Sequence, residues 1–167
     1  MREVDRIKQQ NNFILKDICD KYDLLKIKPN KYILCDIDGT IANMLDRNPF
    51  KSSRVFNDCK ITPVIDMLKA FQAQDYKVIF VSGRSDDYEE ITRDWIKNVA
   101  QVDFENIFMR KTNDNRSDEE IKKEIYENHI KDKYDVAFVV DDRPRVVKLW
   151  RSLGFFVFNV DQSGLDF

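Results

Sequence analysis

Short runs that are apolar on consecutive positions recur along this 167-residue chain, and between them the apolar residues fall at spacings of three and four. The runs are KYILCDI (31–37), KVIFVS (77–82), NIFM (106–109), DVAFVVD (135–141) and FFVFNV (155–160). Strands of a parallel sheet read this way when both of their faces are covered. TPVIDMLKAFQAQ (62–74) puts Val64, Leu68 and Phe71 on one helical face, with Thr62 as N-cap and Pro63 at the first helical position. DDYEEITRDWIKNV aligns Tyr88, Ile91, Trp95 and Val99. SDEEIKKEIYENHI opens on a capping box, Ser117 and Glu120. RPRVVKLWRSLG has Pro144 in its first turn, a stripe of Val146, Trp150 and Leu153, and Gly154 as its stop. The order β-α-β-α-β-α-β-α-β predicts an α/β fold, a mostly parallel sheet with helices on both faces and right-handed crossovers.

The length suits one domain with a proper core, and shares of 43% hydrophobic and 35% charged residues belong to an ordinary globular chain. Residues 1–30 carry a weaker helical pattern (Ile7, Ile14, Ile18, Tyr22) and are expected to form a helical extension to a domain spanning 31–167. No apolar run approaches the roughly 20 residues that span a bilayer, and MREVDRIKQQNN holds no apolar signal core. Cys19, Cys35 and Cys59 show no metal-ligand spacing and suit a reducing compartment, so a cytoplasmic location is expected. A net charge of −2 gives no electrostatic sign of nucleic-acid binding. The stretch 43–61 is the longest without periodicity, and long loops of this kind are often functional.

In open parallel sheets ligands bind outside the carboxyl ends of the strands. The first strand ends on Asp36 and Asp38 with Gly39 and Thr40, the second on Ser82, Gly83 and Arg84, and the fourth on Asp141 and Asp142 with Arg143. Carboxylates gathered at one point repel unless a cation sits among them. A hard divalent ion such as Mg²⁺ takes oxygen ligands, and Asp36, Asp141, Asp142 and a backbone carbonyl near Asp38 are the candidates. Ser82, Thr40, backbone N–H groups and a Lys or Arg could hold phosphoryl oxygens beside it. A carboxylate can attack phosphorus, and a second can protonate the leaving oxygen and then activate water. Gly39 lets the chain bend so that Asp36 and Asp38 reach one substrate from different sides.

DIDGT at a strand end, an apolar strand ending in SGR, a Lys on a later helix and VVDD resemble the haloacid-dehalogenase phosphatases, whose fold is Rossmann-like. MLDRNPF, VIFVSGR, NRSDEEIKKEIYENHI and VVDDRPRVVKLWRSLGF together resemble the 3′-phosphatase domain of phage-type polynucleotide kinase/phosphatase, over about residues 31–167. The resemblance implies Asp36 as nucleophile and Asp38 as general acid/base, Ser82 and Lys122 as phosphate ligands, and Asp141 and Asp142 as the acidic pair serving Mg²⁺. It implies Arg47 and Arg84 as contacts near the substrate phosphate. By pattern alone, Lys122 lies in a charged run, EEIKKE, that reads as a solvated helix face. No GxxxxGK[ST] motif is present, so no kinase activity is expected, and a separate kinase or ligase is the expected partner. Nor is any segment between the motifs long enough for a large cap domain.

The expected activity is removal of 3′-phosphate from nucleic-acid ends. Two alternatives stand beside it: a nucleotidase acting on free nucleoside monophosphates, and a silent module that binds phosphorylated ends. Asp142 could also cap the helix after it, which is compatible with serving a metal, His129 reads as a helix-end residue facing the dipole, and Trp95 and Trp150 read as core.

Overall fold

The computed structural model describes residues 32–43 and 58–161, so Arg47, the extension 1–30 and most of the loop 43–61 lie outside the described residues. A five-stranded parallel sheet is built from β1 (Tyr32–Cys35), β4 (Lys77–Ser85), β5 (Asn106–Arg110), β6 (Val136–Asp141) and β7 (Val157–Asn159). A two-stranded antiparallel hairpin of β2 (Ala42–Asn43) and β3 (Cys59–Lys60) stands apart, at the two ends of the stretch that shows no periodicity. Two residues per strand are too few for an alternation to register.

The strand order is β5-β4-β1-β6-β7. The chain therefore winds outward from β1 in one direction, returns, and winds outward in the other. Its topological switch point lies between β1 and β6, where such folds bind ligands.

The helices divide by face. Between β1 and β4 runs α1 (Thr62–Gln72); between β4 and β5 runs α2 (Glu89–Trp95), which a π-helical turn prolongs through Ile96–Ala100. Both pack with Ile33, Cys35, Val78, Phe80, Phe138 and Val140 on one face of the sheet. The other face carries Leu34, Ile79, Val81 and Val139. Against it lie α3 (Asp118–Ile125), prolonged by a π-helical turn at Tyr126–Ile130, and α4 (Pro144–Ser152). Because side chains alternate along a strand, consecutive apolar residues fill both layers, which is why these strands read as unbroken runs. Trp95 and Trp150 are core residues, 0% and 1% exposed. No large cap domain stands among the described residues.

Local signals mark the helix starts with mixed success. Glu120 accepts the Ser117 N–H at 3.0 Å, as the capping box requires. Pro63 sits in the first turn of α1, but the N-cap is Ile61 rather than Thr62. At α4 the N-cap is Arg143, not Asp142, which the acid cluster engages instead. His129 lies flat against the Phe108 ring, with centroids 5.3 Å apart and planes 11° from parallel. No described helix is long and apolar enough to cross a membrane.

Candidate active site

The sheet register builds the site before any side chain acts. Cys35 is level with Phe80 on one neighbour and Val140 on the other, and the Asp36 N–H donates to the Val140 carbonyl at 3.0 Å. Asp36 and Asp141 are thus the next residues out on adjacent strands. Each follows a residue that faces α1 and α2, so each points toward α3 and α4.

The ammonium of Lys122 on α3 meets them there. It donates to Asp36 Oδ1 at 2.7 Å and to Asp141 Oδ2 at 2.8 Å, and Lys122 is only 2% exposed. The indole N–H of Trp150 on α4 adds a bond to Asp141 Oδ2 at 3.2 Å, and the Arg143 N–H donates to its other oxygen at 3.2 Å. Burial works against the Lys122 charge, but Asp141 and Asp36 outweigh it and hold the ammonium above the ordinary lysine value. Trp150, read as core from sequence, is also a hydrogen-bond donor to the site.

After Ile37 the chain makes a tight hydrogen-bonded turn in which the Ile37 carbonyl faces the N–H groups of Thr40, Ile41 and Ala42. That turn brings the Thr40 hydroxyl back over the acids, where it donates to Asp142 Oδ1 at 3.1 Å. Gly39 makes the turn possible on two counts. Its φ is +84°, in the left-handed region, and a Cβ there would stand 2.0 Å from Asp142 Oδ2. Gly39→Ala should destabilise the fold by more than about 1 kcal/mol and displace Asp142. Urea denaturation and metal titration of that variant check both effects, and unchanged values in both would contradict the packing described.

Asp36, Asp141 and Asp142 each offer a carboxylate oxygen, all within 4.8 Å of one another and all buried. Burial, then the neighbouring acids, push the Asp36 carboxyl well above the usual carboxylate range against the pull of Lys122. Burial and Asp141 raise Asp142 to about 6. Three buried carboxylates face one buried ammonium in this cluster, an excess of negative charge that a divalent, oxygen-seeking cation would neutralise. The donor set therefore fits Mg²⁺. Cys35, against the same cluster, is kept a neutral thiol by burial and the adjacent acids, which suits a small core side chain.

Asp38 takes no part in this side-chain cluster. Two residues apart on a straight strand it would share a face with Asp36, but the turn sends it across the sheet edge to Arg84. Arg84 grips it with Nε on one oxygen at 2.8 Å and a terminal nitrogen on the other at 2.6 Å. The guanidinium is buried and also holds Asp58, so it faces protein carboxylates and not open solvent. Burial opposes its charge, and the Asp38 and Asp58 carboxylates more than offset that.

Strand β4 runs on through Ser82, Gly83 and Arg84 to Ser85, so this cargo belongs to the strand itself. Ser82 is fully buried and accepts the Arg84 N–H at 3.2 Å. Gly83 admits Asp118 from the start of α3, whose Oδ1 would lie 2.6 Å from a Cβ. Asp118 is held between Arg110 and Arg143, and Arg110 Nε donates to the Gly83 carbonyl at 2.8 Å. Sequence reasoning missed Asp58 and Asp118. Asp118 looks like one more acid in a helical first turn, and Asp58 sits in an unpatterned stretch with its partner on a distant strand.

An all-parallel sheet with a buried Asp–Lys–Asp contact at its switch point agrees with the haloacid-dehalogenase class of phosphatase, to which the family match assigns the chain. Within it, the chain belongs to the family described as the polynucleotide kinase PNKP phosphatase domain, which matches residues 30–165. It is 34% identical over 163 residues to a protein of Autographa californica nuclear polyhedrosis virus named for bifunctional polynucleotide kinase/RNA ligase activity. That match covers 96% of this chain, and so takes in a counterpart for much of residues 1–30, but only 24% of the viral protein. Two solved structures, a Pnkp1/Rnl/Hen1 complex and the Pnkp1/Rnl/Hen1 RNA repair complex, match with TM-scores of 0.78 and 0.77 at 38% identity. Each is matched over 83% of this chain and over 48% and 45% of its own. The chain thus spans about a quarter of the curated relative and about half of those structural neighbours.

Proposed function

We propose that this chain is an Mg²⁺-dependent phosphomonoesterase that removes 3′-phosphate from nucleic-acid ends through an aspartyl-phosphate on Asp36. The observation that carries the reading is the buried Lys122 ammonium spanning Asp36 and Asp141, with Asp142 beside them, at the switch point of the sheet.

Lys122 pulls Asp36 toward its ionised form against burial and bonds Oδ1. Oδ2, met among the described residues only by the Thr40 hydroxyl at 3.5 Å, is the oxygen that attacks phosphorus once the proton is lost. As the Oδ2–phosphorus bond forms, the bond from phosphorus to the leaving 3′-oxygen breaks, and Asp38 gives that oxygen its proton. Water then returns a proton to Asp38 as its oxygen bonds phosphorus. The acyl-phosphate bond breaks, releasing inorganic phosphate and the Asp36 carboxylate. When bound among Asp36, Asp141 and Asp142, Mg²⁺ supplies positive charge against the transferring phosphoryl group.

The nucleic-acid substrate is supported by the family and by relatives named for kinase, ligase and RNA repair. A ligase joins ends through a free 3′-hydroxyl, which this reaction unmasks, so 5′-kinase and ligase activities are its natural partners. The net charge of −2 favours a second reading, a nucleotidase with the same chemistry. Phosphate release from a 3′-phosphorylated oligonucleotide, compared with 3′- and 5′-mononucleotides with and without Mg²⁺, tests both. Faster turnover of every mononucleotide than of the oligonucleotide overturns the preference, and no turnover of any monoester leaves a binding module.

The pKa shifts predict how the metal affects stability. Asp36 and Asp142 hold protons in the folded chain that the unfolded chain has released, so their contribution is fully present below the unfolded carboxylate range. For Asp142 it is lost as pH rises through about 6. Metal binding requires the same groups deprotonated. Between about pH 5 and about pH 7.5 the metal-free protein should therefore lose stability, and the rise in Tm caused by Mg²⁺ should grow. Thermal melts with EDTA or Mg²⁺ at both pH values check this, and a pH-independent Mg²⁺ effect contradicts it.

A further inference from the structure

Arg84 belongs to a chain of three charges that runs from the interior to the cleft. The Asp58 side chain is 1% exposed, that of Arg84 is 0% exposed, and that of Asp38 is 19% exposed. Only the last of the three reaches open space. The guanidinium is held on three sides: bidentate to Asp38, to Asp58 Oδ2 at 2.8 Å, and from its remaining terminal nitrogen to the Thr92 hydroxyl on α2 at 3.3 Å. Asp58 is anchored in turn, since the Trp95 indole N–H donates to its backbone carbonyl at 3.2 Å. A planar fork with acceptors on three sides cannot rotate without breaking charge-assisted bonds in a dry site, where each is strong.

We propose that Asp58 is a positioning residue for the general acid/base. It fixes the plane of the Arg84 guanidinium, and Arg84 fixes the Asp38 carboxyl at the angle from which it serves the leaving oxygen. This rests on the role given to Asp38 in the proposed function. It places Asp58, in a stretch without sequence periodicity, two bonds' reach from the chemistry without touching the substrate. Arg84 accordingly acts through Asp38, with all three of its nitrogens bonded to protein acceptors.

The consequence is selective. A leaving group that needs a proton depends on Asp38 being held in place, and misplacement of a catalytic group costs about 10²-fold. A leaving group that departs as a stable anion does not. Phenyl phosphate and p-nitrophenyl phosphate are of similar size and differ in this respect, and a 3′-phosphorylated oligonucleotide behaves like the former. Their kcat/KM, which reports steps up to leaving-group departure, should be measured for the wild type, Asp58→Ala, Asp58→Asn and Thr92→Val.

Asp58→Ala should lose about 10²-fold on the oligonucleotide and phenyl phosphate and less than about 3-fold on p-nitrophenyl phosphate. Asp58→Asn, which keeps one acceptor oxygen, should recover part of that loss. Thr92→Val removes a different hold on the same guanidinium and should show the same selectivity even if Asp58→Ala does not fold. Equal losses on all three esters, or none, overturn the role of Asp58 while leaving the phosphatase reading intact. A wild-type protein that hydrolyses none of them overturns both.

Discussion

Replacing Asp36 with Asn should lower phosphatase turnover by at least about 10⁴-fold while leaving the fold as stable as before or more so when no metal is present. The two effects have one cause. Asp36 is one of three buried carboxylates whose ligand oxygens crowd within 4.8 Å, and burial alone already pushes its proton affinity up. An amide of the same shape removes one of the repelling charges and keeps an oxygen for the Lys122 ammonium, now 2.7 Å from Asp36 Oδ1. It cannot attack phosphorus. Mg²⁺ should also raise the Tm of this variant less than that of the wild type, because one ligand charge is gone. Turnover within tenfold of wild type would remove Asp36 from the role of nucleophile.

Lys122→Met should have the largest effect on stability. The side chain is buried to within 3% and joins two carboxylates that are 7% and 1% exposed. Removing one partner of a buried ion pair costs about 3–5 kcal/mol, chiefly because the other charge is left buried and unpaired. Here two acids are left so, beside Asp142, and Tm in EDTA should fall on the order of 10 °C. Mg²⁺ should restore much of that loss by neutralising the same acids, but it should not restore activity, since the transferring phosphoryl group has lost its cation on the α3 side. Stability unchanged in EDTA would contradict the burial of Lys122. Full activity in Mg²⁺ would contradict its part in the reaction.

Much of the site could be read in the chain because strand ends carry it. Asp36, Asp141 and Asp142 follow apolar runs directly, and a parallel sheet brings the ends of adjacent strands level, so their meeting depends only on strand order. Lys122 depends on more. In EEIKKE the pattern gives no reason to prefer it over Lys123, and what buries one and leaves the other half exposed is the rotation of α3 on the sheet. The Arg84 clamp was illegible for a different reason. Ser82-Gly83-Arg84 looks like a strand end, but β4 continues through it, and the extended backbone directs Arg84 under the turn toward Asp38, Asp58 and Thr92. A buried ion pair between residues far apart in sequence leaves no local signature at either end. Asp142 shows the converse error: the residue pattern suits an N-cap, but Thr40 and the acid cluster claim the side chain first.

The central claim is that Asp36 becomes covalently phosphorylated at the place where the strands gather the acids. Acid-quenching the protein during turnover of an oligonucleotide bearing a labelled 3′-phosphate, followed by peptide mapping, tests it most directly. The account predicts label on the peptide containing Asp36, present with Mg²⁺, lost with EDTA and absent from Asp36→Asn. Label on any other residue, or steady phosphate release from Asp36→Asn, would contradict it.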